Sequence, residues 1–157
     1  MACLQFNAPF TTVALTATTA KSVIGVQAAT NQAIKLLEYK VSFDGATSSN
    51  APAVCMLRRS TFATNAPGTN STQIAAPFKL DPGRAETVQT TAAYGWTTEP
   101  TVLTTIDATD VGQFNGIYQY ILPFAAPIIV VGGQGIVVQI NSPNNCNCSG
   151  KMTCEEG

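Results

Sequence analysis

The chain has 157 residues, a net charge of −1 and no histidine; 45% of its residues are apolar but only 11% are charged. This length predicts one domain around one hydrophobic core. The sparse charge excludes a polyanion binder, which needs clustered Lys and Arg, and the apolar content excludes long disorder.

No run approaches the length of apolar chain that spans a bilayer, so no membrane partner is expected. The first residues, Met1-Ala2-Cys3-Leu4-Gln5-Phe6-Asn7, lack a positive n-region and a long apolar stretch. They do not read as a signal peptide, so synthesis and residence in a cytosol are expected, unless the protein leaves within a larger particle. A neutral polar surface suits a subunit held in an assembly better than a free monomer, because low net charge promotes association.

Residues 1–12 read as an extended arm, because Asn7-Ala8-Pro9-Phe10 interrupts regular structure. Thr11–Thr18 alternates, with Val13, Leu15 and Ala17 on one face, and 22–27 reads as a second strand. In 33–43, Leu37, Tyr39, Val41 and Phe43 form a core-facing row with Lys35 at its rim. A helix over 31–38 competes, since those residues are good helix formers. Asp44-Gly45 marks a turn, 44–52 a loop, and Val54–Arg59 another strand.

The segment 63–77 is the longest loop, and Phe78-Lys79-Leu80 stops at the turn Asp81-Pro82-Gly83. Residues 86–99 are Thr-rich and carry Tyr94 and Trp96, while 102–106 and 118–122 read as strands. Two β-branched runs, 127–131 and 136–140, flank Gly132-Gly133-Gln134-Gly135 and give the strongest hairpin signal. Neither run alternates, so each is expected to be covered on both faces, by a second sheet or a neighbouring subunit. About eight short strands argue an all-β, single-domain antiparallel sandwich or jelly roll over 13–141, with a cysteine-containing tail at 142–157.

Candidate chemistry is thin. The Gly-rich turn is followed by a strand rather than a helix, so a phosphate loop is not expected. Ser-His-Asp and Cys-His catalysis and histidine-ligated metal sites have no histidine to use. Asp107 with Asp110, and Asp81 with Glu86, read as turn formers or solvated carboxylates, leaving only carboxylate-based hydrolysis as an enzyme reading. Cys55 reads as a buried apolar residue. Cys146, Cys148 and Cys154 are expected as free or late-oxidised thiols, then as a disulfide, and last as a metal site, since a structural zinc wants four ligands. Arg58-Arg59 is too short for nucleic acid and fits an acidic partner surface or Glu38. Tyr94, Trp96, Tyr118 and Tyr120 could form a sugar-stacking platform, but core or interface filling is preferred.

The extended amino-terminal segment, the Thr/Ala-rich β-body and the terminal Pro127–Ile140 pair of β runs resemble small virion proteins of tailed bacteriophages, the capsid decoration (cement) proteins most of all. The resemblance covers the architecture of most of 1–141. It implies a non-enzymatic structural protein on the outer capsid surface, assembled in the host cytoplasm and often trimeric, with the major capsid protein as partner and no cofactor. The expected docking residues are Leu4, Phe6 and Phe10 of the arm, with Arg58, Arg59 and Trp96. The alternative is a carbohydrate- or receptor-binding module of a tail or fibre.

Overall fold

The computed structural model describes residues 3–45, 51–74, 77–101, 103–123 and 127–157; Met1 and Ala2 of the expected arm, part of the expected loops, and Val102 of an expected strand lie outside them. Among the described residues there are twelve strands and no helix: β1 (Leu4–Leu15), β2 (Ala20–Gln27), β3 (Ile34–Phe43), β4 (Ala53–Ser60), β5 (Thr72–Ile74), β6 (Phe78–Lys79), β7 (Thr91–Tyr94), β8 (Leu103–Val111), β9 (Ile117–Ile121), β10 (Ile128–Val130), β11 (Gly135–Asn141) and β12 (Cys146–Glu156). Two antiparallel sheets result. Sheet A runs β10-β3-β12-β1-β6, with β9 pairing the same strand β3; sheet B runs β5-β7-β2-β11-β4-β8. The protein is a β-sandwich.

The two ends belong to the body rather than extending from it. Residues 4–12 open β1, which pairs with β12 from Leu4↔Glu156 to Leu15↔Cys146 and has β6 on its other side. The cause is visible in the burial. Leu4, Phe6, Ala8 and Phe10 alternate into the core, and each large apolar side chain fully buried contributes about 1.5–3 kcal/mol. Pro9 is exposed, and β6 pairs with β1 only at Phe6 and Asn7. The expected tail is β12, an interior strand between β1 and β3, with Cys148, Met152 and Cys154 buried. Its last carboxylate, Glu156, is itself buried and accepts hydrogen bonds from Thr90 N (2.6 Å), Thr90 Oγ1 (2.5 Å) and Gln89 N (2.9 Å). That clamp ties the 84–90 segment to sheet A.

The expected hairpin is not one. β10 pairs with β3 in sheet A, whereas β11 lies between β2 and β4 in sheet B. The Gly-rich turn carries the chain across the sandwich, with Gly133 at φ +79 and Gly133 N donating to Ala28 O (3.0 Å). Of the two runs expected to be covered on both faces only the second is: in the first, Ile129 is 45% and Val131 57% exposed. β11 is buried on both faces, Gln139 included. Its outer cover comes from the chain's own loops: Phe62, Ala93, Trp96 and Val137 form a small second core outside sheet B.

Bulges set the inward parity. In β1 the register shifts between Phe10 and Val13, and Thr12 sits at φ 54. One unopposed residue moves the core face from even to odd positions, so Val13 and Leu15 point in as expected. In β3 the shift against Thr153/Cys154 leaves Leu37 unopposed. Ile34 and Leu36 therefore face the core on one side of the bulge and Tyr39, Val41 and Phe43 on the other. The expected row held for Tyr39, Val41 and Phe43, but Leu37 lies outside it. The competing helix at 31–38 loses because β12 and β10 offer β3 ladder partners along both edges.

Candidate interaction surface

The outer face of sheet A is organised in rows that cross its strands. Paired registers place Ile121, Glu38, Thr153, Asn7 and Phe78 side by side on β9, β3, β12, β1 and β6. The neighbouring row runs Ile129, Lys35, Glu155 and Gln5, and Leu80 joins its end by donating its N–H to Gln5 O (2.9 Å). At the inter-strand spacing of about 4.8 Å, each row spans roughly 19 Å.

The middle of these rows is polar and satisfied within the sheet. Lys35 Nζ lies 2.9 Å from Glu155 Oε1, and Gln5 Nε2 donates to Glu155 Oε2 (3.2 Å). Lys151 Nζ lies 3.2 Å from Glu38 Oε2, Gln119 Nε2 donates to Glu38 Oε1 (2.6 Å), and Thr153 Oγ1 donates to Asn7 Oδ1 (2.7 Å). The Lys35 hydrogen bond and charge hold the Glu155 carboxyl below its usual range, and the same contact raises Lys35. Solvent-facing pairs of this kind are worth about 0–1 kcal/mol each, so they neutralise the face more than they stabilise it.

The ends of the rows are apolar and open. Ile117, Ile121 and Ile129 on the β9–β10 edge are 64%, 67% and 45% exposed; Phe78 and Leu80 on the opposite edge are 72% and 48% exposed. Period-two alternation forces this arrangement. Tyr118 and Tyr120 turn inward, Tyr120 stacking on Tyr39 at 5.5 Å, so Ile117, Gln119 and Ile121 must face out. Beside this edge lies a cavity of about 410 Å³ whose lining includes Leu37, Ile121, Leu122 and Pro127, with Lys35 and Glu155 at its polar side.

The expected docking residues fall elsewhere. Leu4, Phe6, Phe10 and Trp96 are buried, so none of them offers a surface. Trp96 lies parallel to Phe62 at 6.3 Å between ring centres, and its Nε1 donates to Asn65 O (2.8 Å). Gly25 leaves the room, since a Cβ there would meet Trp96 Cη2 at 2.9 Å. Arg58 does not reach Glu38; its Nη1 donates to Gln139 Oε1 on the outer side of sheet B. Arg59 Nη1 donates to Ile129 O (2.9 Å), which ties β4 to β10 across the sandwich.

The five cysteines are all reduced thiols. Cys148 and Cys154 lie in the core, while Cys146 is half-buried beside Gln113 Nε2 (2.8 Å). Burial pushes the Cys55 thiol up to about 12 and raises Cys148 and Cys154 further. Among the described residues no group of three or more His, Cys, Asp or Glu side chains converges as a metal site would require. Asp107 and Asp110, three residues apart on β8, project to opposite faces of the strand, Asp107 half-buried and Asp110 exposed. Tyr94, Tyr118 and Tyr120 are partly buried against the main core, which is the core filling preferred over a sugar-stacking platform.

The isoleucine edge escaped the sequence reading. Ile117 and Ile121 share a parity, but nothing local says whether the isoleucines or the tyrosines face inward; only β9 pairing with β3 decides it. No protein-family model matches the chain, and no curated protein or solved structure matches it.

Proposed function

We propose that the chain is a non-enzymatic structural protein that works by binding: a decoration protein seated on the outside of a virus shell, where it stabilises contacts between capsomers and associates with copies of itself, as a homotrimer in the resembled class. The observation that carries a binding role is the outer face of sheet A, where exposed Ile117, Ile121, Ile129, Phe78 and Leu80 stand at the ends of a polar strip in which Lys35 pairs with Glu155 and Lys151 with Glu38. Such surface is costly to leave in water, and exposed apolar patches rimmed by polar residues mark interaction sites. The strand orders β9-β3-β12-β1 and β8-β4-β11-β2 support reading the sandwich as a jelly roll, two interlocked Greek keys of the kind that build capsid and lectin domains. The capsid assignment within that range rests on the architectural resemblance.

A shell binder stabilises by mass action, because it engages the assembled lattice and not the free subunits. The test is co-sedimentation of the purified chain with shells built from the major capsid protein encoded in the same genome. Saturable binding that raises the shell's melting temperature is the expected result. Protein that stays in the supernatant, or a genome that encodes no capsid protein, refutes the proposal. The carbohydrate reading draws on the Tyr94–Trp96 segment and the 63–77 loop, and Trp96 of that segment is buried.

A further inference from the structure

We infer that the two apolar ends of sheet A bind each other in different copies of the chain, with Phe78 and Leu80 of one copy docking on the Ile117–Ile121–Ile129 edge of the next and the Phe78 ring entering the cavity beside Ile121. This rests on the reading that the protein self-associates, and it names the surface.

Three observations select a second copy as the occupant. The first is size. Phe78 is the most exposed large apolar side chain among the described residues, and aromatic anchors in pockets carry most of the energy of protein interfaces. The cavity of about 410 Å³ is ample for it, since a void of roughly 150 Å³ already admits a benzene ring.

The second is area. The exposed fractions of the five side chains amount to roughly 500 Å² of apolar surface, taking about 150–200 Å² for each whole side chain. Adding the half-exposed neighbours, this approaches the apolar share, a little over half, of an interface at the lower limit of about 1,200 Å². The Phe78–Leu80 end supplies about 200 Å² of this and the isoleucine edge about 300 Å².

The third is charge. Lys35 pairs with Glu155, and Lys151 with Glu38, inside one copy. The strip between the edges therefore carries one unbalanced charge, that of Lys40 across from Lys151, and the net charge of −1 sets up little repulsion between copies. Strand addition is not the mode at this edge. Arg59 already occupies the carbonyl of Ile129, and the contact is assigned to the exposed side chains.

The experiment uses the full chain, size-exclusion chromatography with light scattering, and the variants Phe78→Asp and Ile121→Asp. Both positions are exposed, so both variants should keep the wild-type circular dichroism and melting temperature. The wild type is expected to be an oligomer. Each variant alone should self-associate at least about 30-fold more weakly, the scale of losing an interface hot spot. An equimolar mixture should regain association, because the Phe78→Asp copy still offers an intact Ile121 edge and the Ile121→Asp copy an intact Phe78. A monomeric wild type, an unaffected Phe78→Asp oligomer, or a mixture that stays monomeric overturns the inference. Shell co-sedimentation is read separately. Intact oligomers that ignore shells refute the decoration role alone, and a monomer that needs Phe78 to bind shells assigns this face to the shell instead.

Discussion

The three core thiols make alkaline pH a direct probe of the packing. Cys55, Cys148 and Cys154 are almost wholly removed from water, and burial raises each of their thiols, Cys55 to about 12 from a reference of 9.0. A folded-state value above the unfolded one means the native protein holds its protons longer. That contribution to stability is fully present below about pH 9 and is lost as pH rises toward the folded values. Each such thiol costs about 1.4 kcal/mol per pH unit in that window, so three cost roughly 4 kcal/mol per unit and about 8 kcal/mol by pH 11. A domain typically has only 5–15 kcal/mol to lose, so unfolding near pH 10–11 is expected. The assay is urea denaturation with a non-thiol reductant, followed by circular dichroism at intervals from pH 7 to 11. The combined variant Cys55→Ala, Cys148→Ala and Cys154→Ala should lose most of the slope, whatever its stability at pH 7. A wild-type slope below about 1.4 kcal/mol per unit, or an equal slope in the variant, would refute the placement of these thiols in the core. In the native state at pH 8, a chromogenic disulfide should modify only Cys3 and Cys146 quickly, and all five thiols in denaturant.

Other consequences can be measured on the same protein. Trp96→Ala should cost about 3–5 kcal/mol, because it empties a fully buried indole site and orphans the Asn65 carbonyl; a loss under about 1 kcal/mol would contradict the second core. Deleting residues 1–10 should abolish cooperative folding rather than merely weaken docking, since it strips Phe6, Ala8 and Phe10 from the core and bares the β1 side of β12 from Gly150 to Glu156; a folded truncation by nuclear magnetic resonance would restore the arm. Toward acid, Arg84 holds Glu86 down at about 2, and Asn147 lowers Asp44 as Lys35 lowers Glu155. Those contributions are complete above the unfolded carboxyl range and fade as pH falls toward the folded values. The melting temperature should therefore be flat from pH 7 to about 5 and decline gently below about 4.5; a rise on acidification would contradict these contacts.

The sequence by itself determined the class of fold. β-Branched runs, turn residues at short intervals and the scarcity of charge leave two apolar-faced sheets as the way to bury 45% apolar residues. It also placed most of β2, β3, β4, β9 and β11, and the turn at Asp81-Pro82-Gly83, because alternation and turn chemistry act within a few residues. What spans the chain was decided only in three dimensions. Leu4–Phe10 and Cys146–Glu156 look irregular one at a time, since each carries Asn, Pro, Ser or Gly in the run, and they become regular only as partners some 150 residues apart in register. The Gly-rich turn reads the same whether its flanking strands share a sheet or face each other across the core. The interaction surface lay out of reach for the same reason: the rows from Ile121 to Phe78 join five strands brought together from both ends of the chain, and a bulge at Leu37 resets which side chains face out. Local physics settles where a strand can form, while inward and outward faces follow from pairing energies that no single strand contains.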